Sequence, residues 1–314
     1  MHRTLNRLLF VLGTAIILVD AAWLLVGNFT IDWQRYNILL VVALPLVGGT
    51  VYYERFRSEP DLSAMLACAA FLIVFAAAAS LASYLLITIA GPRIDQLLAA
   101  ADASIGFHWS PVMAFAANHP LLNGILGLAY MSVMPQTILL VLWLGARGNL
   151  EDLYGLALAL AYGAIVTLAV WTPFPSFGAF SVFSLSDDVA SKLHLVAGFD
   201  YAHDLLQMLQ NGPGFISPGE LRGIVGFPSY HTLQAVVLAW YARRIPVLRW
   251  PALGLNAAVL LAIPIQGGHH LVDLLGGIVV AAIAIVMARI TIAVAARVAP
   301  AQTVAEAHPF AARN

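Results

Sequence analysis

An all-α polytopic membrane protein is the fold class this sequence predicts, and three observations predict it. The chain of 314 residues is 61% hydrophobic and only 10% charged, whereas a soluble domain carries about 25% charged residues. Its apolar residues gather into runs close to the roughly 20 residues that a helical span needs. Those runs are rich in Ala and Leu and lack the period-two alternation of barrel strands. A net charge of −1 gives no reason to expect a nucleic-acid partner.

Eight apolar runs follow in order, near 8–27, 37–53, 63–90, 121–146, 152–173, 229–243, 248–265 and 270–296. They predict about eight transmembrane helices. The first run is too long and too poorly flanked for a cleaved signal and reads as a retained helix. It contains Asp20, whose cost in lipid predicts that this face packs against protein. Cys68, the single cysteine, lies in the third run and reads as a small buried hydrophobe. The run 229–243 is short and spans only if its helix starts at Pro228 and ends among Arg243 and Arg244. With the N-terminus inside, eleven of the 15 basic residues fall on the inner side, and Arg35, Arg93, Lys192 and Arg222 fall outside. That is the asymmetry the positive-inside rule asks for. An even number of spans then leaves both termini cytoplasmic. The Ala-rich composition points to a bacterial inner membrane, with "outside" meaning periplasm.

Two outer segments are long. In 91–120, Ile94, Leu97, Leu98, Ala101 and Ile105 recur every three or four residues and predict an amphipathic helix along the interface. Residues 174–227 gather nine ionisable side chains: Asp187, Asp188, Lys192, His194, Asp200, His203, Asp204, Glu220 and Arg222. A loop this long with its own polar inventory is usually functional. A solvated cap over the bundle is the plainer reading.

Two motifs open apolar helices on the outer side: "GFPSYHT", residues 226–232, and "GGHHLVDLLGG", residues 267–277. Helix N-termini present free N–H groups and partial positive charge, which suit phosphate. Pro228 suits a first helical position. Gly267 and Gly268 let backbone approach a ligand closely. His269 and Asp273 are four apart and share a helix face. The carboxylate can hold one ring nitrogen of His269 and leave the other free to attack. His231 can protonate a leaving oxygen, and Ser229 with nearby backbone can hold phosphate oxygens. Nucleophile, orienter, acid and anion cradle together make a phosphoryl-transfer site. His270, about 100° around a helix from His269, reads as packing.

Plainer readings exist for each piece. A histidine near a helix start can be a cap, and Asp273 can merely complement the helix dipole. Zinc held by His231, His269 and Asp273 is the chemical rival, although no H-E-x-x-H string occurs. A serine protease would want G-x-S-x-G around Ser229, which is absent. A transporter or flippase would carry ionisable residues deep in several spans, and only Asp20 lies clearly deep.

The motifs resemble the second and third signatures of the type 2 phosphatidic acid phosphatase (PAP2) superfamily, Pro-Ser-x-His in "FPSYHT" and His-x-x-x-Asp in "HHLVD". The resemblance implies a six-helix catalytic core within 63–300, preceded by two extra helices in 1–62 and followed by a cytoplasmic tail, 301–314. It also implies a metal-independent phosphohistidine mechanism, with His269 as nucleophile, Asp273 its partner, His231 the general acid and Ser229 a phosphate contact. Its substrates are membrane lipids with phosphate-containing head groups, with a lipid or alcohol as acceptor. The family's usual first signature, Lys followed by Arg-Pro at the fifth helix's outer end, is replaced by "WTPFPSFGAF". Ala262 and Ile263 stand where a Ser-Arg pair is expected. The missing positive charge turns attention to Lys192 and Arg222 as phosphate partners, beside Pro228 and Gly268 in the cradle. These departures are similar to those of the inositolphosphotransferase and sphingolipid-synthase branch, which includes fungal inositol phosphorylceramide synthase. The expectation is therefore a lipid phosphotransferase, with a lipid phosphate phosphatase as the alternative when water is the acceptor.

Overall fold

A computed structural model describes residues 1–27, 29–197, 207–208, 210–212, 214–217 and 223–298. Asp200, His203, Asp204, Glu220, Arg222 and the tail 301–314 lie outside the described residues. Helices α1 (His2–Val26), α2 (Trp33–Tyr52) and α3 (Pro60–Leu86) come first. The segment 91–120, expected on the outer side, folds as α4 (Asp95–Ser104) and α5 (Trp109–Ala117). Next come α6 (Pro120–Met131), α7 (Val133–Ala146), α8 (Leu150–Trp171) and the short α9 (Asp187–Lys192). The last three are α10 (Tyr230–Ala242), α11 (Arg249–Gln266) and α12 (Leu271–Val298).

Local chemistry explains several boundaries. Asp32 caps α2 by accepting the Arg35 amide at 3.2 Å, and Asn149 caps α8 by accepting that of Asp152 at 3.3 Å. Pro60 and Pro120 stand at the first position of α3 and α6, where a missing N–H costs nothing. The core forms around α8. Leu153, Tyr154, Leu156, Ala157, Leu158 and Ala159 are fully buried on it, because α3, α10 and α12 pack around it.

Among the described residues, five helices are long and apolar enough to cross a bilayer, or six if α5 and α6, bent by 111° at their junction, count as one. All eight apolar runs are helical, but fewer than eight meet this measure. The run 121–146 is broken at Ser132 into helices of 12 and 14 residues. Helix α10 has 13 residues, about 20 Å at roughly 1.5 Å per residue, against a hydrocarbon core of about 30 Å. In α11, Arg249, Asn256 and Gln266 dilute the apolar content. Large apolar side chains such as Leu25, Val41, Leu128 and Leu261 face outward, as lipid-facing surface does. The chain is an integral membrane protein.

Asp20 is buried against protein, and so is Cys68. Two short strands, β1 (Thr30–Ile31) and β2 (Phe215–Ile216), pair in parallel, Thr30 opposite Phe215 and Ile31 opposite Ile216. Beside them the Ser217 hydroxyl donates to Asp32 at 2.8 Å and holds that carboxyl below its ordinary range. The N-terminal helix pair is thereby tied to the chain leading into "GFPSYHT".

Helix α4 corrects the expected amphipathic pattern. Leu98 is buried, but Leu97 and Ile105 are exposed, and the residues turned inward with Leu98 are Asp95 and Asp102. The two carboxylates are seven apart and so share a face. They turn inward because backbone N–H groups wait there for an acceptor.

Candidate active site

The second motif is assembled from its cap. Ser229 is the N-cap of α10, and its Oγ accepts the Thr232 amide at 3.3 Å. The Ser229 amide donates to the Asp273 carbonyl at 3.0 Å, which pins the start of α10 to the first turn of α12. Pro228 therefore lies one residue before the cap and not at the expected first helical position. The reason is chemical: the serine side chain can accept a first-turn amide and proline has none to offer.

The third motif pairs as expected, by a different route. Helix α12 starts at Leu271, so His269 and His270 precede it. Asp273 reaches back over the helix start. Its Oδ2 lies 3.0 Å from His269 Nδ1 and accepts the His270 amide at 2.9 Å. The pair is buried, with Asp273 at 0% and His269 at 6% exposure. With Nδ1 donating to the carboxylate, Nε2 is the ring nitrogen left with a lone pair.

His231, on the first turn of α10, stacks on Tyr130 of α6 with ring centroids 4.3 Å apart and planes 14° from parallel. Tyr130 Oη is 3.4 Å from His231 Nδ1. A methyl group on Gly267 would lie 2.9 Å from that same hydroxyl and 2.8 Å from His269 Cδ2. The Tyr130 hydroxyl and the His269 ring thus both flank Gly267, and Ser229, His231, Gly268, His269 and Asp273 lie around the facing starts of α10 and α12, which the Ser229–Asp273 bond joins. Lys192 does not join them. It lies on exposed α9, its ammonium bound to Asp188 four residues earlier at 2.8 Å. Arg222 is outside the described residues. Among the described residues, no three His, Cys, Asp or Glu side chains converge as a metal-ligand set.

Sequence reasoning missed two carboxylates. Asp102 accepts the amides of Leu271 at 2.9 Å and Val272 at 3.0 Å, and its Oδ2 lies 3.5 Å from His270 Nδ1. The opening amides of α12 were expected to be free for phosphate. They are instead satisfied from within by Asp102 and Asp273, because a buried helix end needs internal partners. Asp95 Oδ1 accepts the Ser176 hydroxyl at 2.8 Å and the amides of Phe177 at 2.8 Å and Gly178 at 3.1 Å. Its Oδ2 pairs with Arg93 at 2.7 Å. This clamps "PFPSFGAF" in place, and the Ala179 amide then donates to the Gly268 carbonyl at 2.6 Å. The seven-residue spacing of Asp95 and Asp102 is the signal that could have revealed a shared inward face.

Gly268 has φ +62°, a conformation that costs other residues about 1–3 kcal/mol. A Cβ there would also lie 1.9 Å from the Phe180 ring. Gly268→Ala is expected to lower the melting temperature of the detergent-purified protein and to displace His269. An unchanged melting temperature would show that this contact is not tight.

The structure is thus an integral membrane bundle with two imidazoles at the facing starts of α10 and α12, one of them held by a buried carboxylate. A family model described as the PAP2 superfamily matches residues 96–287, and the chain belongs to that superfamily. The match begins inside α4 and ends inside α12, so it includes every site residue named above except Arg93 and Asp95. No curated protein and no solved structure matches the chain. Membership makes this a phosphatase- or phosphotransferase-type lipid enzyme, in a family that acts on phosphate-containing lipids.

Proposed function

We propose that the chain is a lipid phosphotransferase of the inositolphosphotransferase-like branch, moving a phosphorylated head group between lipids through a phosphohistidine at His269. One observation carries the reading: the buried His269 ring donates from Nδ1 to Asp273 at 3.0 Å, and the Asp273 carbonyl in turn holds the start of α10, whose first turn carries His231. In the first step the Nε2 lone pair attacks phosphorus. The bond from phosphorus to the donor's alcohol oxygen breaks, and His231 gives that oxygen its proton. In the second step an acceptor hydroxyl attacks the phosphohistidine, returns its proton to His231 and releases Nε2. Ser229 accepts an amide through a lone pair, so its O–H remains available to a phosphate oxygen. Pro228 and Gly268 shape the cradle around it. Lys192 and Arg222 remain the proposed sources of positive charge, and Lys192 must leave Asp188 to serve. The catalytic core occupies 63–300 behind the two helices of 1–62, and the site faces the periplasm of a bacterial inner membrane with both termini cytoplasmic.

If water takes the acceptor's place, the same residues make a lipid phosphate phosphatase. Membership in an enzyme superfamily favours both over a transporter. The deciding assay gives purified enzyme a lipid labelled in its phosphate, with and without an alcohol acceptor. Label in the acceptor supports transfer, and label released only as free phosphate overturns it in favour of hydrolysis. Turnover is expected to persist in excess EDTA, since every step above runs on side chains. Loss with chelator and rescue by zinc would restore the metal rival.

A further inference from the structure

A cavity of about 550 Å³ lies between α4, α5 and the Val182–Phe183 segment, within the size range of small-molecule sites. We propose that it receives the acceptor, and that the acceptor is a neutral hydroxyl-bearing group. This rests on the transferase reading above and names its second substrate.

Position is the first argument. Two residues of the cavity wall, Asp102 and Phe183, meet His270 in the segment 268–270, and Trp109 reaches that segment through Phe180. Asp102 holds the amides of Leu271 and Val272. Phe183 meets His270 edge-on with ring centroids 6.5 Å apart. Trp109 meets Phe180 edge-on at 5.1 Å, and Phe180 is the ring that crowds Gly268. Chemistry is the second. Among the described residues the lining contains no Lys or Arg, so these offer a phosphate no fixed positive charge, which favours a neutral ligand. Its one carboxylate, Asp102, already spends both oxygens on the positive end of α12, which leaves little to draw a cation. The remaining polar groups, Gln96, His108 and Ser110, donate and accept hydrogen bonds as hydroxyl groups require, and Trp109 and Phe107 offer apolar faces beside them. Leu97 and Ile105, exposed on α4, give the acceptor's chains an apolar outer surface.

The probe is a diacylglycerol analogue with a photoreactive group near its free hydroxyl, added to the detergent-purified enzyme with the labelled donor. Crosslinks are expected within residues 96–111. Competition by plain diacylglycerol but not by free glycerol assigns a lipid acceptor, and competition by glycerol alone assigns a soluble polyol. Ala103→Trp, which fills the cavity from an exposed position, is expected to abolish labelling and to lower the ratio of transfer to hydrolysis about tenfold. His108→Ala removes a polar group without adding bulk and is expected to raise the acceptor KM several-fold. If the wild type labels in the cavity yet never transfers, the transferase reading fails and the binding site stands. If it transfers while crosslinks fall elsewhere, or while Ala103→Trp leaves the ratio unchanged, the cavity proposal alone is overturned.

Discussion

His269→Ala is expected to lower turnover of a labelled lipid phosphate by about 10⁴-fold or more, the scale on which loss of a covalent nucleophile acts. The fold should survive. Among the described residues the imidazole makes one side-chain hydrogen bond, to Asp273, and that carboxylate keeps the His270 amide as a partner. The variant should therefore purify in the same amount and elute in the same position. Acid-labile, base-stable labelling of the protein by donor phosphate should vanish with activity. Turnover within tenfold of wild type would remove the phosphohistidine, whatever the superfamily. His270 is the internal control: its ring lies 3.5 Å from Asp102 and plays no part in the steps above. If His270→Ala and not His269→Ala abolishes labelling, the nucleophile has been assigned to the wrong neighbour.

Asp95→Ala is expected to destabilise the protein by about 3 kcal/mol, because it strands a hydroxyl, two amides and the Arg93 guanidinium at once. Arg93 is 27% exposed, so water recovers part of its loss, and the backbone donors carry most of the effect. The 2% exposed carboxylate holds the loop that in turn holds Gly268, so activity should fall together with stability. Asp95→Asn keeps an acceptor oxygen for the amides and should lose less. Thermal unfolding in detergent, read alongside turnover, checks both. A shift of less than about 0.5 kcal/mol, the scale of an ordinary surface change, would mean that the clamp is not what holds the loop.

The departure from the family's basic signature takes a physical form here. Where the resemblance leads one to expect cations at the outer end of the fifth helix, "WTPFPSFGAF" is bound by a carboxylate from α4. A segment whose amides are already satisfied by Asp95 cannot also cradle a phosphate with them. The opening amides of α12 are spent in the same way. Fewer backbone donors are therefore left for a phosphate, which raises the importance of Ser229 and of the proposed loop cations.

What could be read from residue order is whatever depends on local spacing. Apolar runs of sufficient length name a membrane protein, and every such run is helical. His269 and Asp273 four apart, and Ser229 opening the run at 229–243, are contacts between near neighbours that short-range geometry can satisfy almost anywhere. The Asp95–Gly178 and Asp102–Leu271 bonds join residues 83 and 169 positions apart, and no local period encodes such distances. The same holds for Tyr130 against His231, 101 positions apart. A hydrophobic count could not distinguish a continuous span from one broken at Ser132 or bent between α5 and α6, since composition is blind to where the axis turns. The sequence by itself determined the membrane class and the two histidine motifs. Only the tertiary structure decided which amides remain free, which carboxylates turn inward and what packs on His231, because each depends on which distant groups are brought together when the helices pack.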